Sequence, residues 1–324
     1  VDARQSMDWR SAWWQVNLNT DTLRLGLRDI SLDDDTTLDL QLGGEAFVAG
    51  LLSDYWVRGE QLPERGFLAS WLSASALLRR NLGGHHFVHA RWTPRAWMFQ
   101  GTESTDVTLP GSLRTFEQSL GYTFWGLDAD PVNSNPLAWT QRARGFAVGA
   151  NFTSHLRDGA RRWGAANDPR NTPDRAQFIA QQWAVWGKEL APRLRLELRE
   201  EARFGVGEDD LTRARVGGMT PYATNLTGAP WPAFLTSKLI AGHAGLHVAI
   251  SGRTEIGAKV DAVALQDPGR VGSDELGWLG GGALFADIRA GRWQIDMRFG
   301  AALPSVWLGG TVGWGAFLGV ARRL

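Results

Sequence analysis

Apolar and polar residues alternate along much of the chain with a period of two. Within residues 23–28, three leucines alternate with Arg24, Gly26 and Arg28, and the same pattern recurs at residues 194–199, 256–262 and 293–299. Successive side chains of a β-strand point to opposite faces of its sheet, so this alternation is typical of strands that have one apolar face. The pattern predicts an all-β protein.

Sixteen segments are predicted to be strands, and merging the weaker ones leaves fourteen or twelve. They are residues 9–18, 22–32, 36–42, 46–57, 67–79, 86–99, 113–125, 139–155, 178–187, 192–204, 211–217, 236–250, 253–265, 277–289, 292–302 and 311–320. Short turn signals, as at residues 81–84 and 251–253, mix with long polar stretches such as residues 157–174. Tight turns at one rim and long loops at the other indicate an up-and-down barrel. Only residues 173–186 offer a helix as an alternative.

Several segments alternate for ten residues or more, whereas strands of soluble proteins usually have about five or six. About ten residues is the length that a tilted strand needs to cross a bilayer. We therefore predict a closed antiparallel transmembrane β-barrel of about 12–16 strands, with residues 1–324 forming one domain. A soluble exported β-protein is the alternative, since its strands also alternate but turn their apolar faces inward.

Composition narrows the function classes. The 324 residues include 34 basic and 34 acidic side chains, and a net charge of zero argues against a nucleic-acid partner. A mean hydropathy of -0.23 argues against a bundle of membrane helices. The absence of cysteine excludes disulfides and thiolate chemistry. The start at Val1 without a methionine indicates an exported chain whose leader has been removed.

The pattern as a whole resembles Gram-negative outer-membrane β-barrel proteins over essentially the full length. Residues 311–320 resemble the terminal strand that is read by their assembly machinery, although the chain ends in Arg322, Arg323 and Leu324 instead of an aromatic residue. The resemblance implies a bacterial outer-membrane location and contact with lipid and lipopolysaccharide. It also implies an envelope protein as a possible partner.

A weaker resemblance is to the Omp85 barrels, which have sixteen strands and a diglycine before a long, inward-folded loop. Here Gly217 and Gly218 precede the loop at residues 219–232. The arginine–glycine–aromatic signature of that loop is missing, as is an N-terminal periplasmic repeat.

The charged faces and the tryptophans supply the candidate site residues. Those expected to line the lumen are Arg91, Arg95, Arg193, Arg195, Glu197, Arg199, Glu255, Lys259, Asp261, Arg292, Asp296 and Arg298. They could form an open polar pore for anionic or zwitterionic solutes, or a closed lumen in which opposite charges pair. Four tryptophans are in phase with the apolar faces and are expected at the membrane interface. They are Trp92, Trp278, Trp293 and Trp314. Trp71, Trp125 and Trp139 are out of phase.

We predict no metal site and no cofactor. His243 and His247 could share a metal on a helix, but on a strand they lie about 13 Å apart. The acidic clusters at residues 33–35 and 208–210 are interpreted as solvated turns, and the glycine-rich residues 277–282 lack the lysine of a phosphate-binding loop.

Three functions remain open. The first is a pore or conduit for small polar solutes or an exported partner. The second is a non-conducting scaffold or Omp85-like assembly barrel. The third is a rim enzyme acting on lipid or peptide, for which His155 is the candidate general base. The arginines at residues 157–170 are expected to lie in an exposed loop that contacts lipopolysaccharide phosphates.

Overall fold

The structure is a computed structural model that describes residues 2–6, 12–18, 22–45, 56–57, 60–61, 67–101, 107–111, 114–128, 144–165, 174–209, 211–218, 224, 226–229, 234–266, 276–291, 293–304, 310 and 312–322. These residues form twenty-one strands. In chain order they are β1 (Asp2–Ser6), β2 (Trp13–Leu18), β3 (Thr22–Ser31), β4 (Thr36–Glu45), β5 (Trp56–Val57), β6 (Glu60–Gln61), β7 (Phe67–Asn81), β8 (His86–Gly101), β9 (Val107–Thr108), β10 (Arg114–Leu127), β11 (Gly145–Arg157), β12 (Gly164–Ala165), β13 (Ala176–Ala191), β14 (Leu194–Val206), β15 (Ala214–Val216), β16 (Phe234–Thr236), β17 (Lys238–Ala249), β18 (Thr254–Gln266), β19 (Leu276–Ala290), β20 (Trp293–Ala302) and β21 (Gly313–Arg322).

Fifteen of these strands form one antiparallel sheet in which chain neighbours are also sheet neighbours. Its order is β1-β2-β3-β4-β7-β8-β10-β11-β13-β14-β17-β18-β19-β20-β21. The other six strands form three short pairs, β5 with β6, β9 with β12, and β15 with β16. This up-and-down order matches the architecture predicted from the mixture of short turns and long loops.

Two predicted elements differ from the observed ones. The helix alternative at residues 173–186 is wrong, because β13 alternates buried Ile179 and Trp183 with exposed Phe178 and Ala180. The expected strand at residues 211–217 is reduced to β15, which lies outside the main sheet. Most of the expected strand at residues 46–57 lies outside the described residues, whereas β1 was not predicted.

The connections have different lengths at the two ends of the sheet. The short-turn rim holds the tight turns at residues 32–35, 82–85 and 192–193. The long-loop rim holds the connections from β4 to β7, β8 to β10, β11 to β13 and β14 to β17. The connection from β10 to β11 is a long one at the short-turn rim.

The sheet turns its apolar side chains outward and its charges inward. Leu120 is 64% exposed and Ile240 is also 64% exposed, whereas Glu197 is 0% and Asp261 is 3% exposed. A soluble barrel shows the reverse distribution, with apolar side chains inside. An exposed apolar belt around a polar interior is the distribution that lipid requires of a transmembrane barrel. No helix among the described residues is long and apolar enough to cross a membrane.

Candidate functional site in the barrel lumen

The lumen beside β14, β17 and β18 is filled by a buried ionic network. The Arg195 guanidinium lies 2.7 Å from Glu197 and 2.8 Å from Glu255, and Arg199 lies 2.5 Å from the other oxygen of Glu197. The Nδ1 atom of His247 lies 2.6 Å from Glu255. These side chains meet because they occupy inward positions that face one another in register, as with Arg195 and His247.

A second network is centred on Asp261. His243 Nδ1 lies 2.9 Å from one carboxylate oxygen of Asp261, and Lys259 Nζ lies 3.3 Å from the other. The backbone N–H and the hydroxyl of Thr227 donate to that same oxygen, at 3.1 and 2.5 Å. Thr227 belongs to the connection between β15 and β16, so a loop residue reaches the inner wall.

The inserted loop comprises residues 217–233, of which 217, 218, 224 and 226–229 are described. It folds back on the diglycine, since the N–H of Gly217 donates to the Thr224 carbonyl at 3.0 Å and that of Gly218 to the Ala229 carbonyl at 3.1 Å. Both glycines have positive φ, at 134° and 68°, a conformation that glycine adopts without strain. Leu226 and Thr227 are fully buried.

Glycines of the inner wall make room for the tip of the inserted loop. A Cβ atom added at Gly300 would lie 2.2 Å from Thr227 Cγ2, and one at Gly281 would lie 2.5 Å from the Thr227 carbonyl oxygen. Gly228, at φ 82°, fits equally closely, because a Cβ there would lie 2.0 Å from the Ala302 nitrogen. The loop tip is therefore docked against β19, β20 and β21 at backbone distance.

The long-loop rim holds a third buried cluster. Arg157, at the end of β11, makes two 2.7 Å hydrogen bonds to Asp209, and Trp163 Nε1 donates to the same carboxylate at 2.7 Å. Next to it Arg203 binds Glu208. Burial raises the pKa of Glu208 to about 7, outweighing the opposite effect of Arg203.

Two expectations are corrected by this cluster. Glu208 and Asp209 are not in a solvated turn, because they are buried and paired with arginines, while Asp210 lies outside the described residues. Arg157 is buried as well and faces the lumen instead of an exposed loop. Arg161 and Arg162 are exposed as expected, and residues 166–170 lie outside the described residues.

Trp163 joins the loops to the wall on the far side of the lumen. It is 3% exposed and packs in one cluster with Ala69 of β7 and Leu211, with Trp97 and Phe99 of β8 alongside. Leu211 follows β14, which is five strands away from β7 in the sheet order. The packed loops therefore span the lumen near the long-loop rim.

A fourth network lies on β3, β4 and β7, and its residues were not among the predicted site residues. Asp39 accepts from Arg28 at 3.0 Å and from Arg79 at 2.9 Å, and Arg79 also reaches Asp29 at 2.9 Å. Asp29 has φ 53° at a bulge, where its N–H donates to Asp39 at 2.8 Å. Arg28 and Asp39 lie on the polar faces of alternating segments, and this alternation was the sequence signal that could have identified them as lumen residues.

The remaining predicted lumen residues are placed as follows. Asp296 and Arg298 pair with each other at 2.6 Å on β20. Arg95 lies over the rings of Trp71 and Trp97, at 4.9 and 5.2 Å from their centroids.

Arg91 is on the inward side of β8 but exposed. Arg193 is not on an inward position, because β13 ends at Ala191 and the residue falls in the exposed turn before β14. Arg292 lies outside the described residues.

The four predicted interface tryptophans all point outward, with exposures of 72% for Trp278, 68% for Trp314, 48% for Trp293 and 39% for Trp92. Trp278, Trp293 and Trp314 lie near strand ends, and Trp92 lies within β8. Trp125 is out of phase because it points inward, where its ring is 6.3 Å from Trp183. Trp71 also points inward, and Trp139 lies outside the described residues.

Three inward histidines, His155, His243 and His247, lie near separate carboxylates. His243 and His247 each have their own acidic partner, and the described residues contain no group of three potential ligands for a metal ion. His155 lies on the inward side of β11 with its Nδ1 atom 3.9 Å from Glu117. Its assignment as a general base stays a prediction.

Comparison with known proteins identifies the fold. No protein family model matches the chain, and no curated protein sequence matches it. A crystal structure of BamA from Haemophilus ducreyi lacking POTRA domains 1–3 matches with a TM-score of 0.67 and 10% identity, covering 99% of this chain and 67% of that one. CdiB from Escherichia coli matches with a TM-score of 0.61 and 14% identity over 96% of this chain. CdiB from Acinetobacter baumannii matches with a TM-score of 0.58 and 11% identity over 98% of this chain. The chain spans 57% and 52% of the two CdiB chains. The protein thus has the fold of a bacterial outer-membrane β-barrel.

Proposed function

We propose that this protein is an outer-membrane conduit or assembly barrel for a polypeptide, of the Omp85 type, and that its lumen is closed at rest by the inserted loop. The observation that carries the proposal is the pair of hydrogen bonds from Thr227 to Asp261. The charged side chains of the two networks around this contact are each 8% exposed or less. The low exposure of these charges among the described residues supports a lumen that is closed on the side of β14, β17, β18 and β20. The resemblance in fold to BamA and CdiB supports a role with an envelope protein as partner.

A steady pore for small polar solutes is the second candidate. Its support is Arg91, an inward arginine that is exposed, together with Arg95 on the same strand. Such side chains would attract anionic solutes through their local field. In either case the outward apolar face would contact lipid, and the exposed Arg161 and Arg162 would face lipopolysaccharide phosphates at the long-loop rim.

The test is to shorten the inserted loop. Val216 and Phe234 are direct partners in the β15–β16 pair, so a short glycine–serine turn can replace residues 218–232 without moving the strands. In planar lipid bilayers we expect a silent or rarely opening wild type and a steadily conducting shortened variant. A variant with Ser251, Gly252 and Arg253 replaced by a similar turn at the opposite rim is the control and should stay silent.

The opposite result would favour the second candidate. If wild-type protein conducts steadily, and the shortened variant has the same conductance, the inserted loop does not close the lumen. The closed conduit would then be rejected in favour of the solute pore.

A further inference from the structure

A carboxylate lies on the lipid-facing side of β14. Glu200 is the seventh of the thirteen residues of β14, and it is exposed between the outward Leu198 and Ala202. Its strand neighbours Glu197, Arg199 and Glu201 are all buried on the inward side. Placing a carboxylate in the hydrocarbon region is costly, and such residues usually mark functional positions.

A carboxamide lies beside Glu200 on the outward face. Gln182 of β13 is also exposed, and its Nε2 atom donates to Glu200 Oε1 over 3.4 Å, a long hydrogen bond. A carboxylate accepts at about four lone-pair positions, and a carboxamide has two N–H groups and a carbonyl oxygen. Both side chains therefore keep capacity for a further partner.

Small residues surround this polar pair. In the register across the sheet, Glu200 is flanked directly by Ala184 on β13 and Gly242 on β17, and the row continues to Ala262 and Gly280. A Cβ atom at Gly242 would meet nothing within 4 Å. A recess of about 1010 Å³ adjoins the pair, and it is lined by Gln182 and alanines together with larger side chains such as Phe152, Phe204 and Ile240. Interfaces between transmembrane helices use small residues to bring backbones close together, and small outward residues leave the same room between two barrel surfaces.

We propose that this Glu200 patch, formed by Gln182, Ala184, Glu200, Ala202 and Gly242, is the contact surface for a second copy of this chain in the membrane. The patch carries an acceptor and a donor whose tips already meet, so it is self-complementary. A two-fold axis along the membrane normal, between β13 and β14, places each carboxylate against the carboxamide of the other copy.

The positions of the outward cations favour a two-fold dimer in which Glu200 meets Gln182 of the second copy. Outward cations on the described strands, such as Arg80, Lys188 and Lys238, lie near strand ends. In a copy inserted at the same depth, these cations start from strand ends, whereas Glu200 lies at the middle of its strand. Gln182 of the second copy is the donor that lies at that depth. This inference is independent of whether the lumen conducts.

The experiment uses the natural absence of cysteine. Single Ala184→Cys and Ala202→Cys variants place a thiol beside the proposed axis. Ala74→Cys places one on the outward side of β7, which is four strands from β13 and five from β14. Under mild oxidation in native membranes we expect dimer-sized adducts for Ala184→Cys and Ala202→Cys and none for Ala74→Cys. Adducts of another mass, or no adducts at the two patch positions, would overturn the proposal.

A second set of variants separates the interface from folding. In the Ala184→Cys background, Glu200→Leu removes the carboxylate and should raise the dimer dissociation constant about tenfold or more. Glu200→Gln keeps an acceptor and should retain the dimer. Both should still fold, since neither leaves a charge in lipid. Equal dimer yields for Leu and Gln at this position would contradict the assignment.

Discussion

At the residue scale, burial decides how the charges of this barrel behave. Arg157 and Asp209 form a two-pronged pair that is almost completely buried, with Trp163 as a third partner. Removing one member of such a pair leaves an uncompensated charge, whereas replacing the whole set by apolar groups is often tolerated. The inward networks are therefore better regarded as fixing one arrangement of strands and loops than as a source of stability.

Glu208 gives this protein a predicted pH dependence. Its pKa is about 7 in the fold and 4.5 without the fold, because burial disfavours the carboxylate. The folded chain binds the extra proton between these values, so the stabilisation is complete below pH 4.5 and is lost as the pH rises through 7. The loss amounts to about 3 kcal/mol.

The measurement is the free energy of unfolding in lipid vesicles from pH 4.5 to 8 for wild type and Glu208→Gln. The wild type should lose stability relative to the variant as the pH rises. Glu189→Gln, at the exposed short-turn rim, serves as the control and should follow the wild type. A wild-type curve parallel to that of Glu208→Gln would show that Glu208 has no raised pKa.

At the element scale, alternation predicts which side chains of a strand share a face but not which loops enter the barrel. The outward leucines of β14 and its inward Arg195, Glu197 and Arg199 follow directly from a period of two. Thr227 could not be found in this way, because its role depends on contacts with β18 and β20 that are distant in sequence. The diglycine was the only local sign of that loop.

The outward face of β14 allows a graded test of lipid contact. Leu194 lies at the strand end by the short-turn rim, and Leu198 lies near the middle. Lysine in the middle of a lipid-facing strand costs about 2–4 kcal/mol, and near the interface about 0–1 kcal/mol. We therefore expect Leu198→Lys to lower the free energy of unfolding more than Leu194→Lys does. Equal small losses at both positions would indicate that this face is in water.

At the scale of the whole molecule, the main sheet and the loop inside the lumen are held in place by different interactions. Each strand of the main sheet is hydrogen-bonded to the strands beside it in that sheet. The inserted loop contacts the sheet through Thr227, Gly228 and the surrounding glycines. Faces and strand lengths of the wall were readable from the sequence because they repeat. Buried pairs such as Arg157 with Asp209 were not, since a period of two gives no information about which loop charge meets which wall charge.

A mutation at the loop tip should therefore release the inserted loop while the main sheet stays folded. In Gly228→Val the side chain would collide with the backbone of Ala302, and the φ of 82° adds about 1–2 kcal/mol of strain. We expect the unheated variant to migrate faster on a denaturing gel than the boiled one, as a folded barrel does. Chymotrypsin should cut the variant at Tyr222 or Trp231 of the inserted loop much faster than it cuts the wild type. Gly310→Val carries a similar strain, at φ 72°, in open space and should leave the cleavage unchanged. If Gly228→Val migrates as unfolded chain before heating, then docking of the inserted loop is required for the wall to form, and the two parts of the molecule are a single folding unit.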